Sequence, residues 1–165
     1  EKNANVTLHM YTVSSNNTKQ VALGDYEYIP RIKWSNDANI LVATTLNRHQ
    51  NNLKLHKVNA SKANATLLFN ETDKAYIDVT NNLTFLNDNS FIWTSEKDGF
   101  NHIYHYNFKG KLINQVTKGN WEVTQYYGFN ENKNTIYYQS VENGSTNRGV
   151  YAIGIDGKKK KPNFR

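Results

Sequence analysis

The sequence predicts an all-β chain folded as a partial β-propeller, with two full four-stranded blades flanked by incomplete blades. Strand-like runs recur at a nearly constant interval, turn residues close each run, and helical periodicity persists nowhere. The pattern is clearest over residues 95–123, where HIYHYNF and KLINQVT are separated by Lys109-Gly110 and the second run stops at Lys118-Gly119. Glycine reaches a positive φ without a Cβ clash, so it marks points where the chain reverses.

Two series of runs define the repeat. The first is LHMYTV, LKLHKV, IYHYNF and VYAIGI, which start 45, 50 and 47 residues apart at Leu8, Leu53, Ile103 and Val150. The second is ILVATTL, FIWTSEK and IYYQSVE, with starts 51 and 45 residues apart. Four strands per unit at this period are typical of a propeller blade. A meander sandwich is the alternative, but its turns come roughly every 8–12 residues without a longer period.

The remaining runs complete the blades. The first strands of three units are IPRIKWS, DVTNNLTF and VTQYYGF, at Ile29, Asp78 and Val123. The fourth strands of the units are KQVAL, which precedes Ile29, ATLLFNE and KLINQVT. The chain therefore holds the third and fourth strands of one blade, two full blades and the first three strands of another, about thirteen strands in all. Residues 35–39 and 86–90 are expected to form matching turns, because Asp and Asn side chains bond their own backbone there.

Charge is concentrated at one end of the chain. The net charge is +6, and five of the positive charges lie in residues 158–165, which leaves 15 basic and 14 acidic residues in the rest. We therefore expect a nearly neutral propeller fragment over residues 1–157 and a solvated basic tail over 158–165, with no nucleic-acid partner. The absence of cysteine excludes disulfides, thiolate metal sites and a cysteine nucleophile.

The ends of the repeat carry a further expectation. The chain opens on Glu1-Lys2-Asn3, and both ends stop inside a blade, so we interpret it as a piece of a longer protein. No apolar run approaches the roughly 18 residues of a membrane helix. Incomplete blades leave sheet edges exposed, so the isolated chain is expected to form homo-oligomers or to be marginally stable as a monomer.

A search for catalytic chemistry finds no candidate residues. Ser145 directly follows a glycine, but Asn143 and Asn147 stand where a Gly-x-Ser-x-Gly motif has its glycines. His102 and His105 lie three apart on one strand and so face opposite sides, which prevents joint metal binding. No catalytic residue, no metal site and no cofactor is predicted. Trp34, Trp93 and Trp121 are expected to be core or blade-to-blade anchors rather than ligand platforms.

Three segments carry a resemblance to a known family. They are SEKDGFNHIYHYNF, QVTKGNWEV and YYQSVENGSTNRGVY, with support upstream from LHMY and YIPRIKWS. Together they resemble the N-terminal β-propeller of the dipeptidyl peptidase IV branch of the prolyl oligopeptidase family. The resemblance covers nearly the whole chain, most specifically over residues 91–153 and more loosely over 36–80.

The resemblance implies that the catalytic groups and most of the substrate-binding groups lie outside this chain. Members of the family are serine exopeptidases that remove dipeptides or tripeptides ending in proline or alanine, and their triad lies in a C-terminal hydrolase domain that this chain lacks. The paired glutamates that bind the substrate amine are also missing. The one substrate-binding residue that the resemblance suggests is Tyr76, in the segment AYID, although a blade-packing aromatic is the alternative. The implied parent is periplasmic, cell-surface or extracellular.

Two functions follow as hypotheses. In the first, the chain is a non-catalytic propeller fragment that gates and orients short peptides with penultimate proline or alanine for the parent's hydrolase domain, where a serine triad performs acyl transfer. In the second, it is a non-enzymatic propeller that binds a protein or glycan partner. A Gly-x-Ser-x-Gly hydrolase domain downstream would support the first hypothesis.

Overall fold

The computed structural model describes residues 3–162, and this part of the chain is almost entirely β-structure. It forms fourteen strands and one short 3-10 turn, Val13–Ser15. The strands are β1 (His9–Thr12), β2 (Asn17–Gln20), β3 (Tyr28–Trp34), β4 (Ile40–Leu46), β5 (Asn52–Asn59), β6 (Asn64–Thr72), β7 (Thr84–Phe85), β8 (Phe91–Ser95), β9 (His102–Tyr106), β10 (Leu112–Gln115), β11 (Val123–Asn130), β12 (Thr135–Ser140), β13 (Gly149–Gly154) and β14 (Lys161–Pro162).

The strands pair as antiparallel meanders. β1 pairs with β2, and the rest form three four-stranded sheets in the orders β3-β4-β5-β6, β7-β8-β9-β10 and β11-β12-β13-β14. Each strand pairs only with its neighbours in sequence, so every sheet is one unit of the repeat. The all-β class and the four-stranded unit are confirmed. The chain divides into two compact units, one ending at Val79 and the other beginning at Thr80.

The first unit holds the two-stranded sheet and the sheet β3–β6. β4 is buried along almost its whole length, as its unbroken apolar run predicts, while β5 alternates between more and less buried positions. β3 carries Pro30 and lies at the edge of its sheet, where a missing N–H does not interrupt a ladder. The buried core of this unit is formed by Val21, Leu23, Leu41, Ala43, Val58 and Ala63.

The second unit holds the other two sheets around one core. β8 and β9 are buried at every position. The core includes Ile92 and Ile103 from one sheet and Ile136, Tyr138 and Ile153 from the other. Side-chain amides also join the two sheets: Asn101 Nδ2 donates to the Val123 carbonyl at 2.7 Å, and Asn114 Nδ2 donates to the Ile155 carbonyl at 3.0 Å.

The expected turns form as the sequence indicates. The Asn39 amide donates to Asp37 Oδ1 at 2.9 Å, and the Ser90 amide donates to Asp88 Oδ1 at 2.8 Å. These bonds close the connections from β3 to β4 and from β7 to β8. The shared geometry supports the alignment of the two sheets as repeats.

The segment expected to be a solvated tail is partly a strand. Lys161 pairs with Ala152 and Pro162 with Tyr151, so β14 completes the last sheet and raises the strand number above the thirteen expected. The chain reverses at Gly157, which has φ +78° and donates its amide to the Gly154 carbonyl at 2.8 Å. Lysine and proline suit an exposed edge strand. Arg165, which was counted in the tail, lies outside the described residues.

The strand expected from Asp78 is shorter than predicted, because only Thr84–Phe85 pairs with β8. Polar side chains occupy the preceding residues. The Asn82 amide donates to Thr80 Oγ1 at 3.3 Å, and Asn82 Nδ2 donates to Thr94 Oγ1 at 3.0 Å. Threonine and asparagine here bond locally in place of a sheet ladder.

Candidate functional site

Tyr76, the predicted substrate contact, lies in the connection between β6 and β7. The Ala75 amide donates to Asp73 Oδ1 at 2.7 Å, and the Ile77 amide donates to the Gln50 carbonyl at 2.8 Å. Ile77 is buried, whereas Tyr76 is 59% exposed. An anchored loop therefore displays the Tyr76 side chain. Substrate binding by Tyr76 stays a prediction.

His102 is a fully buried node of the second unit. Its Nε2 atom lies 3.0 Å from the Gly119 carbonyl oxygen, and its Nδ1 atom lies 3.1 Å from Thr117 Oγ1. Because a carbonyl oxygen only accepts, the hydrogen-bond network assigns the ring proton to Nε2, and Nδ1 accepts from the threonine hydroxyl. Thr117 Oγ1 in turn accepts the Ile103 amide at 2.9 Å. His102 thus joins β9 to the residues that follow β10, and its role is structural.

Two other buried histidines also make structural contacts. His105 Nε2 lies 2.9 Å from Ser90 Oγ, and His56 Nε2 lies 3.0 Å from Thr45 Oγ1. Burial lowers the pKa of both imidazoles; the charge of Lys54 adds to this lowering at His56, whereas Asp88 opposes it at His105. The hydrogen bond from Ser90 is the main cause that lowers the pKa of Asp88.

The three tryptophans have different environments. Trp93 is buried, and Trp121 packs partly buried against the core of the second unit, as anchors would. Trp34 is 51% exposed and lines a shallow cleft beside β1, so the expectation of an anchor fails for it. Trp34 ends β3, the edge strand of its sheet, which leaves its ring less covered.

A carboxylate network lies beside Trp121 in the last sheet. Glu142 forms an ion pair with Lys160 and accepts hydrogen bonds from Ser140 Oγ at 3.1 Å and from the Tyr138 hydroxyl at 3.5 Å. The side chain of Glu142 is 9% exposed, against 44% for Lys160. Burial, followed by the nearby carboxylate, raises the pKa of Tyr138, so its hydroxyl keeps the proton that it donates.

Two aromatic rings lie near the same lysine, and a third ring stacks on both of them. Tyr138 stacks on Trp121 with ring centroids 6.5 Å apart and on Tyr151 with centroids 5.6 Å apart. Lys160 Nζ lies 5.9 Å from the Trp121 centroid and 5.7 Å from the Tyr151 centroid. We call Trp121, Tyr138, Tyr151 and Glu142 the ammonium cage. Sequence reasoning missed it because Lys160 lies in a run of four lysines that was interpreted as a solvated tail.

A cleft of about 370 Å³ opens beside the ammonium cage. Trp121, Tyr138 and Lys160 form part of its wall, together with Lys118 and Lys158. The residues that line this cleft include no grouping of nucleophile, base and oxyanion donor.

The described residues contain no metal-ligand cluster. Over residues 3–162, no three His, Asp or Glu side chains are grouped as ligands. The same range has no helix of the length and apolar character needed to cross a membrane. The predictions of no catalytic residue, no metal and no cofactor remain predictions.

The comparisons with known proteins all point to the same family. The family model for the dipeptidyl peptidase IV N-terminal region matches residues 1–163. Among curated relatives, a probable dipeptidyl peptidase 4 of Aspergillus flavus is 26% identical and covers 93% of this chain but 22% of its own length. A dipeptidyl peptidase 4 of Trichophyton equinum is 25% identical over 94% of this chain and 21% of its own length.

Solved structures agree with the sequence comparison. The crystal structure of Porphyromonas gingivalis dipeptidyl peptidase 4 matches 94% of this chain with a TM-score of 0.88 and 39% identity, over 22% of that chain. A putative dipeptidyl aminopeptidase IV from Bacteroides ovatus matches 92% of this chain with a TM-score of 0.78 and 27% identity, over 25% of its own length. The predicted partial propeller is confirmed, and this chain spans about a fifth to a quarter of its relatives.

Proposed function

Because this chain belongs to the family of dipeptidyl peptidase IV N-terminal regions, we propose that it is the non-catalytic propeller part of a proline-specific dipeptidyl or tripeptidyl serine exopeptidase. It gates and orients short peptides with penultimate proline or alanine for a hydrolase domain in the parent protein. The observation that carries the proposal is the match of 94% of the chain to Porphyromonas gingivalis dipeptidyl peptidase 4 at 39% identity.

The chemistry of the chain supports this division of labour. The buried histidines are bonded to threonine, serine or backbone partners that hold strands together. Acyl transfer needs a nucleophile, a base and oxyanion donors in one place, so the hydrolase domain supplies them. The propeller positions short peptides and excludes larger substrates. Both effects act on substrate binding rather than on proton transfer.

Tyr76 is the residue through which the chain contacts the peptide. Its anchored loop and exposed ring can present both an aromatic face and a hydroxyl to a bound substrate. In the full-length protein, Tyr76→Ala is expected to raise KM for a Gly-Pro chromogenic substrate several-fold, with a smaller change in kcat. Tyr11→Ala is the matched control, since Tyr11 is similarly exposed, at 57%, but lies on β1.

The gating proposal has its own measurement. The full-length protein is expected to cleave short peptides with penultimate proline and to leave an unfolded protein with the same N-terminal dipeptide uncut. If both are cleaved at equal rates, the gating proposal fails. An unchanged KM in Tyr76→Ala would remove the role assigned to that residue and leave gating standing.

A further inference from the structure

The fourth strand of the last sheet has an unusual attachment. β14 consists of two residues, Lys161 and Pro162, and pairs with β13 at two positions. Proline lacks an N–H for the ladder, so Pro162 adds no amide donor to the pairing with β13. The residue directly before β14, Lys160, reaches into the ammonium cage. The contacts of this side chain therefore lie next to the pairing of β13 with β14.

Several residues of the ammonium cage are held in place by contacts that do not involve Lys160. Ser140 and Tyr138 hold the Glu142 carboxylate, and Asn143 Nδ2 donates to the Tyr151 hydroxyl at 2.7 Å. These residues all lie in β12, β13 or the connection between them, so none depends on β14 for its position. The cage is thus a feature of the preceding strands.

The chemistry of the cage selects a cation. A carboxylate that is 9% exposed is costly to bury without a positive partner. Aromatic faces within about 6 Å attract an ammonium through the ring quadrupole, and both Trp121 and Tyr151 lie within that distance of Lys160 Nζ. A neutral side chain could donate a hydrogen bond, but it would supply no positive charge for the carboxylate or for the ring faces.

We propose that Trp121, Tyr138, Tyr151 and Glu142 form a binding site for a primary alkylammonium group, occupied in this chain by Lys160, and that its occupancy holds β14 on the sheet edge. The adjoining cleft of about 370 Å³ gives the site an open side. An alkylammonium from solution can therefore enter when the lysine side chain is removed.

The first test is hydrogen exchange of the 165-residue chain. Lys160→Met keeps an unbranched side chain that is one heavy atom shorter and removes its charge. The amides of residues 152 and 161, which lie at the pairing of β13 with β14, are expected to exchange about tenfold faster or more in this variant, since local opening governs their protection. Glu142→Gln is expected to act likewise, and the double variant no more than either single change. Lys161→Met removes the same charge from β14 without touching the cage and should leave exchange unchanged.

Protection of Ile136 and Tyr138 in β12 verifies that each variant is folded. If Lys160→Met exchanges like the parent chain, or if the effects of the two single changes add in the double variant, the cage does not hold the strand. A variant that loses protection in β12 as well as β14 also contradicts the proposal, because the site is preformed on β12 and β13.

The second test fills the emptied site. Lys160→Ala removes three methylene groups and the ammonium, which correspond to n-propylammonium. Rising concentrations of this ion at constant ionic strength are expected to slow exchange at residue 152, whose amide faces β14, in a saturable manner. n-Propanol should have no such effect, and neither compound should act on the Lys160→Ala/Glu142→Gln variant. No recovery with n-propylammonium, or equal recovery with n-propanol, would overturn the ammonium site.

Discussion

The His102 imidazole meets the Trp121 indole edge to face, with 4.9 Å between the ring centroids and 86° between the planes. The Gly119 carbonyl accepts the hydrogen bond of the same imidazole. The buried His102 of β9 therefore contacts both Gly119 and Trp121 in the segment where β10 leads into β11. This segment is also the one in which the sequence resemblance is most specific.

Gly119 is expected to tolerate no side chain. Its φ is +146°, and a Cβ there would lie 2.2 Å from Trp121 Nε1, so Gly119→Ala combines backbone strain with a clash. We expect it to lower the free energy of unfolding by about 2–4 kcal/mol. Urea unfolding followed by tryptophan fluorescence measures the change.

Gly128→Ala is the matched control for Gly119→Ala. Gly128 has φ +137° but has nothing within 4 Å of its ideal Cβ position, so it reports the strain without the clash. The Gly119 variant should therefore be the less stable of the two. Equal losses would show that contact with Trp121 contributes nothing.

Replacing His102 should remove the contacts that join β9 to the residues after β10 and so lower the stability of the chain. His102→Ala removes two hydrogen bonds and an edge-to-face ring contact from a fully buried position. A loss of about 3–4 kcal/mol is expected by chemical denaturation. His9→Ala, at an exposed position, should change stability by less than about 0.5 kcal/mol. A loss at His102 no larger than that at His9 would contradict the assigned role.

Stability should fall on mild acidification. Burial lowers the pKa of His56 and of His105, so below pH 6.5 the unfolded chain binds more protons than the folded chain. The free energy of unfolding therefore decreases as the pH drops from 6.5 towards each folded-state pKa, by up to about 1.4 kcal/mol per pH unit for each proton. The lowered pKa of Asp88 adds a further loss below pH 3.8.

The test is a series of urea midpoints between pH 7.5 and about pH 5, the range set by the histidine shifts. His56→Gln/His105→Gln should flatten the profile over this range, because the groups with lowered pKa are gone. If the double variant shows the same dependence on pH as the parent chain, the pH response comes from other groups.

The isolated chain is expected to associate. Tyr11 and Val13 at the end of β1 are 57% and 82% exposed, and Trp34 is 51% exposed. Apolar side chains beside a strand edge favour contact between copies. Sedimentation at micromolar concentration should therefore show dimers or larger species, and Val13→Lys should reduce them. A compact monomer that unfolds cooperatively would count against this expectation.

The repeat could be predicted from sequence because its signals are local. Apolar runs and Asp- or Gly-containing turns give the strands and their spacing, and the bonds at Asp37 and Asp88 show the expected mechanism. β14 was missed because a lysine run is normally solvated. The chain reverses at Gly157 because of turn chemistry, and an edge strand tolerates lysine, so charge alone was a poor guide.

The site was harder to predict than the fold. Tyr76 was suggested by family resemblance, and its loop is held by a local bond to the Asp73 side chain and by a long-range bond to the Gln50 carbonyl that no local pattern reveals. The ammonium cage and its occupant bring together Trp121, Glu142 and Lys160, which are separated by up to 39 residues in sequence. Only the register of the last sheet brings such residues together, and register is a tertiary property.

The most direct test of the central claim is hydrolysis of Gly-Pro-p-nitroanilide by two pure proteins, the 165-residue chain and the full-length protein that contains it. We expect no turnover by the chain alone, and release of p-nitroaniline by the full-length protein that is abolished by acetylation of the substrate's N-terminus. Turnover by the chain alone, or none by the full-length protein, would contradict the account.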